Sequence, residues 1–394
     1  MEISREQRMT RLVFAVSFVI TSIMLAVLAV KIPLKSNIAA CCASAIVLVA
    51  GTVIINGFAG RRRRLLQFLL VISVLNLAIV APEAILRLTG FRHESGIQFG
   101  YPRPYQFAVF EPHEKLFWRF PPSEPEINSY GFRSPEVIEP KPEGSFRILF
   151  LGNSCTYQGH PSKVEEILRE DNPAIECLNF ATPGYTTHQG RIIVESWLGE
   201  ISPDLLVVSF GWNDRWLAYG SVDAEKQVPV SKSRTTAIVG RVYAKWRLLQ
   251  FFRKILSPVL GSNELLDVQR VPPDQFRLNL TEIGRACSKR GIPVIFATEP
   301  SSHPSHGVPD YVVESKYALS KESSLELLRR YNDIVREVVH EYGDWHLVDL
   351  DALISGRSDV RDMFTGDGLH FSDRGLEHIA DIESRFIKEH FLGD

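Results

Sequence analysis

Four short polar fragments of this 394-residue chain each follow an apolar run, and together they contain the groups that acyl transfer needs. The fragments are GNSCT (152–156), NFATPG (179–184), GWND (211–214) and DGLH (367–370). Acyl transfer requires a nucleophile, a base that takes its proton, a group that orients the base, and hydrogen-bond donors for the developing oxyanion. Each requirement has a candidate in these fragments.

The candidate nucleophile is Ser154, and the candidate base is His370. Asp367, three residues before the histidine, can reach back to the second imidazole nitrogen and fix its tautomer. The candidate oxyanion donors are the backbone N–H groups of Ser154 and Gly184 and the side-chain amide of Asn213. Gly184 follows a proline in a turn, and without a side chain its N–H can approach a substrate oxygen closely.

Three other assignments stay open at this point. Ser154 could be no more than the N-cap of a helix. Cys155 could be the nucleophile in its place, and Asp214 could orient His370 instead of Asp367.

Neighbours of these fragments are candidates for the pocket wall. They are Asn153, Tyr185 and Trp212, although core packing is an equal alternative for the two aromatic residues. Histidines 160, 188, 303 and 306 fall in or beside predicted loops that can border the same pocket. For these four we favour contact with solvent or substrate over a catalytic role.

The fragments sit within an alternation of short apolar runs and amphipathic patterns from residue 146 onward. Strands are predicted at 146–152, 175–180, 204–211, 292–298 and 346–350, with helices at 162–170, 189–201, 274–290, 323–342 and 372–391. Such alternation predicts an α/β fold whose parallel sheet is covered on both faces. Ligands bind beyond the carboxyl ends of the strands in such sheets, which is where the four fragments fall.

In this order and at this spacing, the fragments resemble the four sequence blocks of the SGNH (GDSL-type) hydrolase superfamily, over about residues 145 to 391. The resemblance implies a flavodoxin-like three-layer α/β/α domain. It also implies the triad Ser154, Asp367 and His370, with an oxyanion hole formed by Ser154, Gly184 and Asn213.

One residue departs from the superfamily pattern. The first block usually carries Asp where this chain has Asn153. That Asp is not a triad member in the family, so Asn153 is compatible with catalysis but alters the local hydrogen bonding. The stretches 128–133 (NSYGFR) and 271–276 (VPPDQF) are similar to stretches in membrane-anchored members, and the sequence suggests no mechanism for either.

Three apolar runs at the start of the chain predict transmembrane helices at about 12–30, 38–60 and 65–84. Each is about long enough to cross the hydrocarbon layer. Arginines 5, 8 and 11 and the run 61–64 predict that the N-terminus and the second loop are cytoplasmic. We therefore expect a multi-pass protein whose catalytic domain is extracytoplasmic, in a periplasm, at a cell surface or in a lumen. A cleaved signal peptide at the first run and buried core helices are the alternatives.

The predicted organisation has three parts. Residues 1–91 form the membrane anchor, 92–144 a connector rich in proline and aromatics, and 145–394 the hydrolase domain with insertions at 216–273 and 301–322. Within the first insertion, the basic and aromatic segment 239–260 is either an amphipathic helix on the membrane surface or a cap over the active site.

Composition excludes several other classes. The chain is 45% hydrophobic with a net charge of -2, which leaves no basic footprint for nucleic acid. Its five cysteines form no disulfide framework, and no His/Cys cluster has metal-ligand spacing. We expect neither a metal nor a cofactor. The sequence does not address the oligomeric state.

These observations predict a membrane-anchored serine esterase that releases acyl groups, most simply acetyl, from an extracytoplasmic glycan or lipid. The partners would be the lipid bilayer and the acylated glycan or lipid substrate. An O-acyltransferase to envelope polysaccharide would use the same triad, and a phospholipase is a variant of the esterase. The alternative that is not an enzyme is a catalytically silent membrane protein that binds glycans or a partner.

Overall fold

The computed structural model describes residues 79, 82–91, 110–226, 246–260 and 265–393. Contacts divide the chain into two compact units, 1–94 with 238–261 and 95–237 with 262–394. The predicted spans 12–30 and 38–60 lie outside the described residues, and of the third only its end falls within them. Within the described ranges, no helix has both the length and the apolarity needed to cross a membrane.

The strands are β1 (Glu111–His113), β2 (Phe117–Arg119), β3 (Phe146–Gly152), β4 (Ile175–Asn179), β5 (Leu205–Ser209), β6 (Leu217–Tyr219), β7 (Leu265–Gln269), β8 (Val294–Ala297) and β9 (His346–Val348). The helices are α1 (82–88), α2 (Ser154–Tyr157), α3 (His160–Arg169), α4 (Thr187–Ile201), α5 (Arg247–Leu260), α6 (Pro273–Ser288), α7 (His303–His306), α8 (Asp310–Glu314), α9 (Lys321–Tyr342) and α10 (Asp373–Ile387). Short 3₁₀ turns occupy Asp223–Glu225 and Val360–Met363, and π-type turns occupy Asp351–Ser355 and Lys388–Leu392.

A five-stranded parallel sheet in the order β4-β3-β5-β8-β9 is the centre of the larger unit. Ile148 of β3 pairs with Cys177 of β4 on one side and with Leu205 of β5 on the other. Because every neighbouring pair in this sheet is parallel, all five carboxyl ends lie at one edge.

Alternate side chains of the strands pack into two different cores, since successive side chains of a strand point to opposite faces. Leu149 and Leu151 join the cluster that contains residues of α4, α6 and α9. Ile148 and Phe150 join the cluster that contains residues of α3 and α10. Helices thus cover both faces of the sheet, and the predicted α/β fold with a parallel sheet is confirmed.

Four predicted helices begin one or two residues earlier in the structure, and two of them have proline in the first turn. The helix predicted from 162 starts at His160, with Pro161 in its first turn, and the one predicted from 274 starts at Pro273. Proline is tolerated there because the first N–H groups of a helix have no intrahelical partner. The last helix ends as an α-helix at Ile387 and continues as a π-type turn.

Residues 110–144 of the predicted connector pack on the sheet domain. Strands β1 and β2 pair antiparallel, and Phe132 is fully buried and stacks on Phe180 at 4.3 Å between ring centroids. Asn128 accepts a hydrogen bond from Phe132 N at 3.0 Å and closes the tight loop of the NSYGFR stretch. Gly131 has a φ of +90°, and a Cβ there would lie 2.9 Å from Phe120 O. The stretch therefore turns the chain back against Phe120, the residue that follows β2.

The two predicted insertions contain regular structure. Residues 216–273 include β6 and β7, which pair antiparallel, and α5. Residues 301–322 include the short helices α7 and α8. Of these elements, α5 belongs to the smaller unit.

In the smaller unit, α1 caps the first turn of α5. The buried Glu83 side chain accepts hydrogen bonds from Arg247 N at 3.1 Å and Leu248 N at 2.7 Å. These backbone N–H groups have no partner within their own helix, and the helix dipole favours a negative charge at this end. Phe91 packs edge-on against Phe251 at 5.8 Å.

Candidate active site

Ser154 is the first residue of α2, directly after the end of β3. Asn153 is the N-cap of this helix, and its Oδ1 accepts a hydrogen bond from Cys155 N at 2.8 Å. A Cβ at Gly152 would lie 2.2 Å from Thr156 Oγ1, so only glycine allows the helix to start this close to the strand. No described residue accepts a hydrogen bond from the N–H of Ser154.

Ser154, His370 and Asp367 form a continuous hydrogen-bonded chain. Ser154 Oγ lies 2.8 Å from His370 Nε2, and His370 Nδ1 lies 2.6 Å from Asp367 Oδ2. The other carboxylate oxygen of Asp367 accepts from Leu369 N at 3.0 Å and His370 N at 2.9 Å. The fold thus brings together two residues that are 216 positions apart.

The electrostatic environment keeps Asp367 ionised. Burial by itself raises the pKa of this carboxyl, but hydrogen bonds from the His370 side chain and from two backbone N–H groups outweigh burial and hold the pKa well below its usual range. A carboxylate beside Nδ1 stabilises the imidazolium that forms when the histidine takes a proton.

The structure places the alternative candidates elsewhere. Cys155 is buried, and burial raises the pKa of its thiol, so the thiolate that a nucleophile needs is disfavoured. Asp214 accepts hydrogen bonds from Thr187 N at 2.8 Å and Thr187 Oγ1 at 2.5 Å, whereas His370 binds Asp367. Burial raises the pKa of Asp214 to about 7.

The loop that carries Gly184 contacts Asn213, the third candidate for the oxyanion hole. Gly184 has a φ of +85°, and no described residue accepts a hydrogen bond from its N–H. Asn213 is buried and donates from Nδ2 to Tyr185 O at 2.9 Å. One N–H of this amide is thereby used, and its second remains as a donor. Tyr185 and Trp212 are fully buried, so core packing accounts for both.

A family profile decides the classification. The GDSL-like Lipase/Acylhydrolase family matches residues 150–377, which is more than half of the chain and contains every candidate catalytic residue. The chain belongs to this family. It is accordingly a serine ester hydrolase with an α/β SGNH fold.

Solved structures of similar proteins include a lipase/acylhydrolase from Enterococcus faecalis, at 17% identity and a TM-score of 0.40, covering 62% of this chain and 96% of that one. A catalytic mutant of Axe2, an acetylxylan esterase from Geobacillus stearothermophilus, is 14% identical with a TM-score of 0.38, covering 63% of this chain and 95% of that one. No curated protein matches the chain in sequence.

Asn153, which replaces the usual Asp of the first block in this GDSL-type hydrolase, has a hydrogen-bond partner in the structure. Asn153 Nδ2 donates to Glu299 Oε1 at 2.8 Å, and both side chains are buried. Burial raises the pKa of Glu299 to about 7. An Asp at position 153 would place two carboxyl groups side by side, and one of them would have to hold a proton. Asn153 avoids this conflict.

Glu299 is not among the residues that the sequence predicts for the site, although its position after a strand is a signal. Glu299 follows β8 at the carboxyl edge of the sheet, the edge that carries the four fragments. Its identity gave no reason to single it out, because a lone Glu before Pro300 matches no catalytic pattern.

His303 supports the loop that carries the acid and the base. Its Nε2 lies 2.8 Å from Asp367 O, and because a carbonyl oxygen only accepts, this nitrogen carries the proton. Ser301 Oγ and Ser302 N both donate to Gly368 O, at 2.9 and 3.1 Å. Burial lowers the pKa of His303 and so favours the neutral form of the ring. The second insertion therefore braces the 365–370 loop from outside.

The other histidines have structural surroundings. His160 is buried 3.3 Å from Glu383, and His188 stacks on Phe117 at 5.5 Å. His306 ends the short helix α7. Within the described part of the chain, no group of His, Cys, Asp and Glu side chains could hold a metal ion.

A groove of about 480 Å³ lies beside the β6–β7 pair and α9. The residues that line it include Leu217, Leu319 and Leu327 together with Glu326 and Arg330. None of the candidate catalytic residues lines it. We therefore assign no part of ester hydrolysis to this groove.

Proposed function

We propose that this chain is a membrane-anchored serine esterase that removes acyl groups, most simply acetyl, from an extracytoplasmic glycan or lipid. The observation that carries the proposal is the hydrogen-bonded chain from Ser154 Oγ through the His370 imidazole to the Asp367 carboxylate. The predicted membrane topology carries the choice of substrate, since it puts the domain where acylated polysaccharides and lipids occur.

In the acylation step, His370 Nε2 takes the Ser154 proton as Oγ bonds to the ester carbonyl carbon. Asp367 stays ionised and stabilises the imidazolium. The carbonyl oxygen becomes an oxyanion, which the N–H groups of Ser154 and Gly184 and the free N–H of Asn213 stabilise. The intermediate then collapses, and His370 gives its proton to the leaving alcohol oxygen. In the second half, His370 activates water, which releases the carboxylic acid and regenerates Ser154.

The test is cleavage of p-nitrophenyl acetate together with labelling by a fluorophosphonate probe. We expect the wild-type protein to cleave the ester and to carry the label on Ser154. Ser154→Ala should lose both, whereas Cys155→Ala, a substitution at the adjacent residue, should keep both. Absence of labelling and of cleavage in the folded wild-type protein would favour the silent binding protein instead.

Product analysis separates hydrolysis from transfer, because water and a sugar hydroxyl compete for the same acyl-enzyme. The protein is given an acetyl donor together with an oligosaccharide acceptor, and free acetate and acetylated oligosaccharide are both quantified. An excess of free acetate supports the esterase. An excess of acetylated oligosaccharide makes the chain an O-acyltransferase.

Anchoring in the membrane is supported by the apolar runs that precede the described residues and by α5. This helix shares the smaller unit with α1, and its exposed side chains include Leu249, Phe252 and Ile255, spaced three residues apart. One face of α5 is thus apolar, as in a helix that lies on a membrane surface. The N-terminal end of this helix is capped by Glu83.

Reporter fusions test the predicted orientation. An alkaline phosphatase domain, active only outside the cytoplasm, is fused after residue 91 and, as the control, after residue 62. We expect activity from the first fusion and none from the second. An inactive fusion after residue 91 would place the catalytic domain in the cytoplasm. The proposal of an extracytoplasmic substrate would then be wrong.

A further inference from the structure

The loop that carries Gly184 is held at three successive carbonyl oxygens. Each accepts a hydrogen bond from a different side chain: Trp118 Nε1 donates to Pro183 O at 3.2 Å, Arg270 Nη1 to Gly184 O at 2.8 Å, and Asn213 Nδ2 to Tyr185 O at 2.9 Å. Of the three donors, only Asn213 belongs to a fragment that carries the family resemblance. Trp118 lies outside the matched residues 150–377, and Arg270 lies in the first insertion.

We propose that Trp118 and Arg270 are positioning residues that set the direction of the Gly184 N–H toward the oxyanion. This inference rests on the proposed esterase function. The Gly184 N–H and the Pro183 carbonyl belong to one planar peptide unit and point in opposite directions. Holding the Pro183 oxygen at the Trp118 indole therefore fixes where the N–H points. Arg270 fixes the following peptide unit in the same way.

Glycine makes such a restraint necessary. Gly184 has a φ of +85°, and a glycine can adopt negative and positive φ with little difference in energy. If either adjoining peptide unit rotated, a carbonyl oxygen could turn toward the oxyanion site in place of an N–H donor. Because the donor must be in place before charge develops, rotation would cost catalysis rather than substrate binding.

The Trp118 contact is reinforced by Tyr185, on the other side of Gly184. Tyr185 Oη donates to Trp118 O at 2.5 Å, and the two rings pack edge-on at 5.6 Å. Both neighbours of Gly184 are therefore bonded to the same residue of β2. Trp118 is 3% exposed, so water does not compete for either bond.

Arg270 is held just as firmly. It is fully buried, and its Nη2 and Nε contact the two carboxylate oxygens of Asp223 at 2.7 and 3.2 Å. Asp223 Oδ2 also accepts from Thr186 Oγ1 at 3.0 Å. A guanidinium in this bidentate pair has a fixed plane, which directs Nη1 at Gly184 O. The residue that precedes VPPDQF thereby acquires a role at the active site.

The main test is Trp118→Phe, which removes the indole donor and keeps an aromatic ring. We expect kcat on p-nitrophenyl acetate to fall about tenfold to hundredfold, below the 10²–10³ that outright loss of an oxyanion donor costs. KM should stay within about twofold. Affinity for a phenylboronic acid, which mimics the tetrahedral intermediate, should fall in parallel with kcat.

The matched control is Trp345→Phe. Trp345 is also buried and donates from its indole to Ser288 Oγ at 3.0 Å, on an element remote in sequence from the Gly184 loop. This variant should keep kcat and boronate affinity within about twofold. If Trp118 has only a structural role, Trp118→Phe should behave like Trp345→Phe, with a lower thermal midpoint but kcat and boronate affinity within about twofold of wild type.

A second variant, Arg270→Lys, keeps the positive charge beside Asp223 but has no planar fork to reach Gly184 O as well. It should show the same fall in kcat with an unchanged KM. If folded Trp118→Phe and Arg270→Lys both retain kcat and boronate affinity, the positioning role is overturned while the esterase stands. If the wild-type protein cleaves no ester and carries no label at Ser154, the proposed function fails and this inference fails with it.

Discussion

The loop with Asp367 and His370 and the loop with Gly184 are held in place by different parts of the chain. In the first, Asp367 binds the backbone of residues 369 and 370, and Thr365 N donates to His370 O at 2.7 Å. In the second, the donors come from β2, the segment before α6 and the turn after β5. The candidate acid–base pair is largely organised by its own loop, whereas the carbonyl oxygens on either side of the candidate oxyanion donor are held by residues far away in sequence.

The difference bears on what a family motif can guarantee. A chain that keeps the DGLH fragment keeps most of the hydrogen bonds that orient its base. A chain that keeps the TPG turn but lacks Trp118 or Arg270 keeps the glycine without its restraints. Three predictions below test this contrast, starting from the largest effect, and a fourth concerns the contact between Asn153 and Glu299.

Asp367→Asn should lower kcat by about 10⁴, the size of loss typical when the orienting acid of a serine triad becomes an amide. The amide cannot stabilise the imidazolium and favours the wrong tautomer of His370. The measurement is kcat on p-nitrophenyl acetate. Asp362→Asn, which removes an exposed partner of Arg374, is the control and should change kcat less than twofold. A variant that keeps a tenth of the activity would show that His370 does not need Asp367.

Gly184→Ala should lower kcat by about 10²–10³, as for loss of one oxyanion donor. The new Cβ disfavours the positive φ, so the loop shifts and its N–H no longer meets the oxyanion. Gly307→Ala is a matched control, because Gly307 has the same φ of +85° with nothing within 4 Å of a new Cβ. Equal losses of activity in the two variants would attribute the effect to general backbone strain.

His303→Phe should lower kcat by about tenfold, as expected when one buried hydrogen bond is lost. It removes the donor to Asp367 O, which is one of three hydrogen bonds by which residues 301–303 brace the loop with Asp367 and His370. His303→Gln should recover most of the activity, since its amide can donate in the same place. A loss as large as that of Asp367→Asn would contradict the view that this loop is mainly self-supporting.

Asn153→Asp tests the contact between Glu299 and the residue before Ser154. We expect it to change the free energy of unfolding. Burial already raises the folded-state pKa of Glu299 to about 7, and a second carboxyl group beside it raises the proton affinity of the pair. A raised folded pKa contributes stability at low pH, and this contribution is lost as pH rises through the folded value. The variant should lose stability more steeply than wild type between pH 5 and 8, by up to about 1.4 kcal/mol per pH unit for each additional proton held in the folded state.

Urea unfolding at pH 5 and pH 8 measures this slope. Adding Glu299→Gln to Asn153→Asp should flatten the slope, because one carboxyl of the pair is gone and the new amide can donate a hydrogen bond to the remaining carboxylate. If the double variant keeps the steep slope, the titrating group lies elsewhere, and Asp214, whose pKa burial also raises to about 7, becomes the candidate.

The sequence predicts much of the candidate site, both its strands and its reacting groups. The strand predicted at 146–152 is β3 with the same bounds, and Ser154 follows it as expected. The fragments predict Ser154, His370 and Asp367 as the candidate triad, and the structure brings their side chains together. Prediction works here because apolar strands of a buried parallel sheet are easily recognised, and because ester chemistry demands particular side chains at the strand ends.

The sequence does not predict the residues that restrain the Gly184 loop and the loop with Asp367 and His370. Trp118, Arg270 and His303 all donate to backbone carbonyl oxygens. A backbone acceptor is present at every residue, so such a bond leaves no complementary residue in the sequence to search for. Glu299 does have a side-chain partner in Asn153, but 146 positions separate them.

The amino-acid sequence by itself determined the family, the sheet and the candidate reacting side chains, because each depends on residue types at short spacing. Only the tertiary structure decided which distant side chains restrain the Gly184 loop and which acid faces Asn153. Those contacts depend on how β2, the segment before α6 and the end of β8 meet around one edge of the sheet. That meeting is a property of packing in three dimensions, and local residue patterns do not encode it.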